Sequence, residues 1–205
     1  MHELPDVFLQ QLTELERAYL DHDDPIRQSG FSGGAARWRA EREPLLDAVD
    51  NDGELLDIGC ANGYLLECAV QWAAERGHRL IPYGLDQGER LIDLARQRMP
   101  HYADHFFIGN GWDWQPPRRF RYVYTLYDCV PLDYLDAYAR RLLADVVAPG
   151  GRLIIGAYGS RSRGLPPFDI AAFLQAHGIT VAGTSSGGTP PIAAFAWVDA
   201  EGSPA

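Results

Sequence analysis

Two hydrophobic rhythms alternate along this chain from about residue 54 onward. Short apolar runs near 54–58, 80–86, 105–109, 121–126 and 152–158 read as strands. Apolar residues three and four apart place helices near 63–76, 88–98, 133–147 and 167–177. Alternation of this kind predicts a parallel sheet with helices on both faces. Ile179-Thr180-Val181-Ala182-Gly183 reads as a sixth strand and Ile192 to Val198 as a seventh, joined through Gly187-Gly188-Thr189-Pro190-Pro191. A turn that short joins antiparallel neighbours. The expectation is an α/β fold: a three-layer α/β/α sandwich on a mostly parallel seven-stranded sheet whose last strand is reversed.

Ahead of this core, Val7-Phe8-Leu9, Leu12, Leu15 and Tyr19 keep helical spacing, with Pro5 and Asp6 as the start signal. Asp21-His22-Asp23-Asp24-Pro25 ends that helix, and 25–34 reads as a polar, glycine-rich loop. A second helix follows from about Gly34 to Val49, with Trp38, Leu45, Leu46 and Val49 facing the core. Within one domain the chain thus divides into an N-terminal helical lid segment, 1–50, and a ligand-binding core, 51–200.

The densest chemistry lies in Asp57-Ile58-Gly59-Cys60-Ala61-Asn62-Gly63. An apolar run precedes it and helical periodicity follows, so it is a strand, a glycine turn and a helix N-terminus. Glycine lets backbone approach a ligand closely, and the helix start offers free N–H groups. Asp86 ends the next strand, where a carboxylate accepts hydrogen bonds from a ribose diol. A nucleoside-containing cofactor is the expectation. The dinucleotide fingerprint G-x-G-x-x-G puts Ala61 at its second glycine and Tyr64 at its third, where a small residue must let the helix pack on the strand. Asp57 would repel a pyrophosphate and suits a cofactor that is cationic at that point. No phosphate-binding G-x-x-x-x-G-K-[ST] occurs.

From Leu45 to Val198 the sequence resembles the class I S-adenosylmethionine-dependent methyltransferases. Leu55 through Gly63 is similar to the family's first motif and Tyr83-Gly84-Leu85-Asp86 to its second. Phe106 through Trp114 is similar to its third, Phe120 through Leu126 to its fourth strand, and Leu142-Leu143 through Pro149-Gly150-Gly151 and Ile155 to its following helix, turn and fifth strand. The resemblance implies S-adenosyl-L-methionine as cofactor, with S-adenosyl-L-homocysteine as product. Asp57, Gly59, Ala61 and Gly63 would then line the methionine end, Asp86 the ribose, and Gln87, Asn110, Gly111 and Trp112 the base. Thr125, Leu126, Tyr127 and Asp128 would lie nearest the methyl group. Three departures stand out: Ala61 for a usual glycine, Asn110 for a commoner Asp, and Arg121 where Asp is frequent.

The expected activity is methyl transfer to an O or N atom of a small metabolite. The alternatives are a non-catalytic domain holding S-adenosylmethionine or its product, and an NAD-dependent oxidoreductase, which Asp57 and Tyr64 disfavour. The catalytic candidates are Asp128, as a base or else a cap for the helix near Asp133, and Tyr127. Substrate-binding candidates are Tyr19, Trp38, Tyr127, Tyr158 and Arg161, with His22, Arg37, Ser160 and Arg163 beside them. Trp112 and Trp114 either stack on a base or cover the sheet edge.

Bulk properties narrow the partners. With 28 acidic against 18 basic residues the net charge is −10, which argues against nucleic acid. No apolar run is long enough for a bilayer, so no membrane partner is expected. The three cysteines form no C-x-x-C pair and fit a reducing, cytoplasmic setting. The acidic start has no signal-peptide character, 203–205 reads as a frayed tail, and a monomer or homodimer is expected. No metal site is expected: His101 and His105 follow Pro100 without the Glu of H-E-x-x-H. Gly30-Phe31-Ser32-Gly33-Gly34 imitates a hydrolase G-x-S-x-G but lacks the strand that must precede it.

Overall fold

Leu55-Leu56-Asp57-Ile58 is buried throughout, as a strand covered on both faces must be. It belongs to β1 (Gly53–Ile58), which pairs in parallel with β2 (Leu80–Asp86) on one side and β4 (Phe120–Leu126) on the other. In the computed structural model, which describes residues 3–202, the remaining strands are β3 (Phe106–Ile108), β5 (Val147–Tyr158), β6 (Gly183–Gly187) and β7 (Ala193–Asp199). Their order is β3-β2-β1-β4-β5-β7-β6, and β7 runs antiparallel to both its neighbours. This is the expected seven-stranded mixed sheet. The tail at 203–205 and the first two residues of the acidic start lie outside the described residues.

Successive strand residues face opposite layers. Leu56, Leu85, Val123 and Ile155 pack with α5 (Leu135–Arg141) and α6 (Ile170–Ala176). Leu55, Tyr122, Tyr124 and Ile154 pack with α2 (Ala35–Arg42), α3 (Tyr64–Glu75) and α4 (Glu89–Arg98). β1 sits between β2 and β4, so the strand order reverses there and a crevice opens at the carboxyl ends. α1 (Asp6–Leu20) buries none of its residues and borders that crevice with Leu12, Leu15, Glu16 and Tyr19.

Three elements differ from expectation. The sixth strand is Gly183–Gly187, not 179–183. Ile179 is instead buried in the core just after α6, and the strand falls on Thr184-Ser185-Ser186, an edge with alternating exposure. The second helix stops at Arg42 and continues as a 3-10 segment over Glu43–Ala48, because Pro44 has no N–H to sustain an α-helix. Trp38, Leu45, Leu46 and Val49 still face inward. The helix expected over 133–147 is α5 followed by a π turn, Leu142–Val146, and β5 begins before the Pro149-Gly150-Gly151 turn.

Candidate functional site

The turn after β1 is built from left-handed backbone. Gly59 and Gly63 have φ of +85° and +72°, and Ala61, at +47°, is the one non-glycine with positive φ among the described residues. Two acceptors hold this conformation. Asp86, at the tip of β2, accepts the Ala61 N–H at 2.9 Å on one oxygen and the Gly88 N–H at 2.8 Å on the other. Asn62, fully buried, accepts the Tyr64 N–H at 3.1 Å and the Ser29 hydroxyl at 2.8 Å, and donates to Gln28 at 3.0 Å and to the Pro25 carbonyl at 3.1 Å. The Asn62 side chain thereby fastens the N-terminal segment to the glycine turn. Sequence reasoning passed over Asn62; its place inside the turn, where Asn bonds nearby backbone, was the available signal.

Asp57 lies one residue before the end of β1 and is 3% exposed. No hydrogen bond or ion pair reaches its carboxylate among the described residues. Burial, and secondarily the negative charge of Asp86, push its pKa from 3.8 up to about 8. Asp86 is also raised, chiefly by burial, while its backbone donors pull the other way. The crevice beyond them occupies about 830 Å³ counted to its open mouth. Its walls include Gly59, Gln87, Asn110, Gly111 and Asp128, with Tyr19 entering from α1. Asn110 donates to Gln87 at 3.2 Å and accepts the Trp112 N–H at 2.9 Å.

Several candidates lie elsewhere. Thr125 is fully buried against the Tyr138 hydroxyl at 3.2 Å, because strand parity turns it into the α5 layer. Trp112 is buried edge-on to Tyr134, and Trp114 packs on Phe107. Ala61 and Gly63 shape the turn without lining the crevice, and a Cβ on Gly63 would press on Ala95 at 2.9 Å. Tyr127 stacks on Phe168, centroids 4.9 Å apart. Asp128 faces the crevice and does not cap the next helical turn, Leu132–Tyr134, which follows Pro131 without a side-chain cap. Burial raises its pKa. Trp38 and Tyr158 sit in the α2 layer, the latter bonded to the Tyr124 hydroxyl at 3.0 Å. Arg161 and Arg37 both pair with Glu41, at 3.2 and 3.0 Å. His22 contributes its backbone carbonyl, which the Gln28 amide meets at 2.6 Å. Ser160 and Ser162 pair their hydroxyls at 3.2 Å on an exposed turn.

No known sequence family matches the chain, and no curated protein sequence does. Solved structures do match. N-methyltransferase NodS from Bradyrhizobium japonicum WM9, in complex with S-adenosyl-L-homocysteine, aligns with a TM-score of 0.61 at 16% identity, over 92% of this chain and 97% of that one. Magnesium protoporphyrin IX methyltransferase from Synechocystis PCC 6803, with bound S-adenosylmethionine, gives 0.63 at 16% identity over 97% and 99%. The 1,6-didemethyltoxoflavin-N1-methyltransferase of Burkholderia thailandensis gives 0.64 at 16% identity over 98% and 92%. The chain has the fold of the class I S-adenosylmethionine-dependent methyltransferases.

Within this methyltransferase fold the residues present fit that cofactor. A left-handed glycine turn and a carboxylate at the tip of the second strand border one crevice, and Asp57, a buried acid without a cation, lies behind the turn rather than in the crevice wall. The departures are absorbed locally. Ala61 adopts the glycine conformation outright, and Arg121 pairs with Asp50 at 3.3 Å at the opposite end of β4.

Proposed function

We propose that this chain is an S-adenosylmethionine-dependent methyltransferase acting on an O or N atom of a small molecule. The observation that carries the reading is Asp57: a buried carboxylate, left without a partner, behind a left-handed glycine turn. The ammonium of an amino-acid cofactor is the partner it lacks, whereas a pyrophosphate there would face two acids, Asp57 and Asp86. Asp86 would receive the ribose hydroxyls, and Gln87 and Asn110 would border the base. When bound, S-adenosylmethionine supplies a methyl group on a cationic sulfur, activated toward a nucleophile.

The chain's own work is then alignment, exclusion of water and proton handling. Holding two reactants in line contributes on the order of 7–11 kcal/mol. The N-terminal segment would act as the lid, with Leu12, Leu15 and Tyr19 of α1 shielding the crevice and Asn62 anchoring the loop behind them. Asp128 is the carboxylate facing the crevice beyond β4 and the group able to take a proton from an acceptor, its pKa raised by burial. The chain is acidic, with a net charge of −10, which favours a small acceptor over a nucleic acid. The neighbour named for 1,6-didemethyltoxoflavin is similar over nearly its whole length, in keeping with that scale. We read the protein as cytoplasmic and as a monomer or homodimer.

The test is label transfer. The chain is incubated with methyl-labelled S-adenosylmethionine and fractionated cell metabolites, with Asp86→Ala as control. Label should enter small molecules only with the unaltered chain. Label found only in protein or RNA would refute the acceptor class, and tight binding without any transfer would favour a non-catalytic role.

A further inference from the structure

Arg42 is 6% exposed, and none of its five N–H groups makes a hydrogen bond among the described residues. Other partly covered arginines of this fold behave differently. Arg96, Arg98, Arg141 and Arg152 each donate to a backbone carbonyl. The guanidinium carbon of Arg42 lies instead among three rings, 3.9 Å from the centroid of Tyr158, 4.2 Å from Phe31 and 4.7 Å from Trp38. Its nearest counter-charge, Glu41, is 3.7 Å away and is shared with Arg37 at 3.0 Å and Arg161 at 3.2 Å. Three guanidinium groups thus meet one buried carboxylate, leaving local positive charge in an acidic protein. A carboxylate satisfies a guanidinium fork with two parallel bonds, which Arg42 makes with no protein group among the described residues.

Arg42 and its three rings do not themselves line the crevice, but the chain brings the box next to it. Tyr158 ends β5, beside the end of β4 from which Asp128 follows. The charge of Arg42 acts on the Tyr19 hydroxyl, as do those of Asp128 and Asp86. Tyr158 lies within the field of Arg42, Asp57 and Asp128 together. We propose that Arg42 binds the acceptor and that the acceptor carries a carboxylate, an inference that rests on the methyltransferase reading above. Asp86 and Asp128, which line the crevice, repel that carboxylate while Arg42 attracts it. The acceptor is therefore oriented with its anionic end among the rings and its nucleophilic atom toward Asp128. The flat aromatic walls and the single fork favour a planar monoanion.

Benzoate and its neutral isostere benzamide are the probes, titrated with and without S-adenosylhomocysteine against the unaltered chain, Arg42→Met and Arg42→Lys. Benzoate should bind at least tenfold more tightly than benzamide to the unaltered chain. Arg42→Met should lose at least tenfold for benzoate alone, and Arg42→Lys should fall between. Equal binding of the two probes, or equal benzoate affinity in Arg42→Met, overturns the proposal. Should Arg42→Met fail to fold, the two probes on the unaltered chain still decide. Discrimination that persists in a chain unable to bind S-adenosylhomocysteine upholds the carboxylate site and counts against the methyltransferase reading; S-adenosylhomocysteine binding without discrimination does the reverse.

Discussion

Binding of the cofactor should expel a proton, and the proton should come from Asp57. In the ligand-free fold its pKa rises from 3.8 to about 8 through burial and the neighbouring Asp86. At about 1.4 kcal/mol per pH unit, the charged form is penalised by on the order of 6 kcal/mol. Between pH 4 and 8 the native chain therefore holds a proton that the unfolded chain has released, so its stability falls as pH rises through that window. A cation bound beside the carboxylate reverses the preference. At pH 7 ligation by S-adenosylhomocysteine should release roughly 0.9 proton per chain, the protonated fraction set by a pKa of about 8. Calorimetry in buffers of different ionisation enthalpy measures this number. In Asp57→Asn the release should vanish and affinity should drop at least tenfold. The ligand-free variant should also gain thermal stability over the unaltered chain as pH is raised toward 8. No proton exchange, with unchanged affinity in Asp57→Asn, would refute the placement of a cation at this acid.

Asp86→Ala leaves the Ala61 and Gly88 N–H groups without their acceptor; at about 1–3 kcal/mol for each buried donor, both melting temperature and S-adenosylhomocysteine affinity should fall. Ala61→Gly removes a left-handed alanine costing about 1–2 kcal/mol against a glycine entropy cost of about 0.5–1 kcal/mol, so denaturant unfolding should show an unchanged or slightly stabilised chain. Gly30→Ala forces a Cβ against the Tyr19 hydroxyl at a φ of +73°; it should destabilise by at least the roughly 1–2 kcal/mol of left-handed backbone and weaken cofactor affinity by displacing Tyr19. Asp128→Asn, assayed once an acceptor is in hand, should leave S-adenosylhomocysteine affinity unchanged and lower turnover at least tenfold.

The central strands were legible because strands covered on both faces are near-continuous apolar runs, and Leu55 through Ile58 is one. The edge was not. Ile179-Thr180-Val181 has the better strand composition, yet Ile179 is needed in the core, and the sheet ends on Thr184-Ser185-Ser186. In the site, residues that act through backbone or from strand tips could be read from local pattern, as with Gly59, Asp86 and Asn110. Thr125 and Trp112, expected at the cofactor, do not line the crevice, because where a side chain points is decided by strand parity and loop packing that local pattern does not carry. Glu41 and Arg42 were invisible for a different reason. Their setting is made by Arg161 and Tyr158, which reach them only after the sheet closes; Glu41 and Arg161 are 120 positions apart.

The most direct measurement is a calorimetric titration of the purified chain with S-adenosylhomocysteine and, separately, with NAD. The account predicts one site per chain for S-adenosylhomocysteine, weakened by Asp57→Asn and Asp86→Ala, and no heat from NAD. Saturable binding of NAD, or a chain indifferent to S-adenosylhomocysteine, would contradict it.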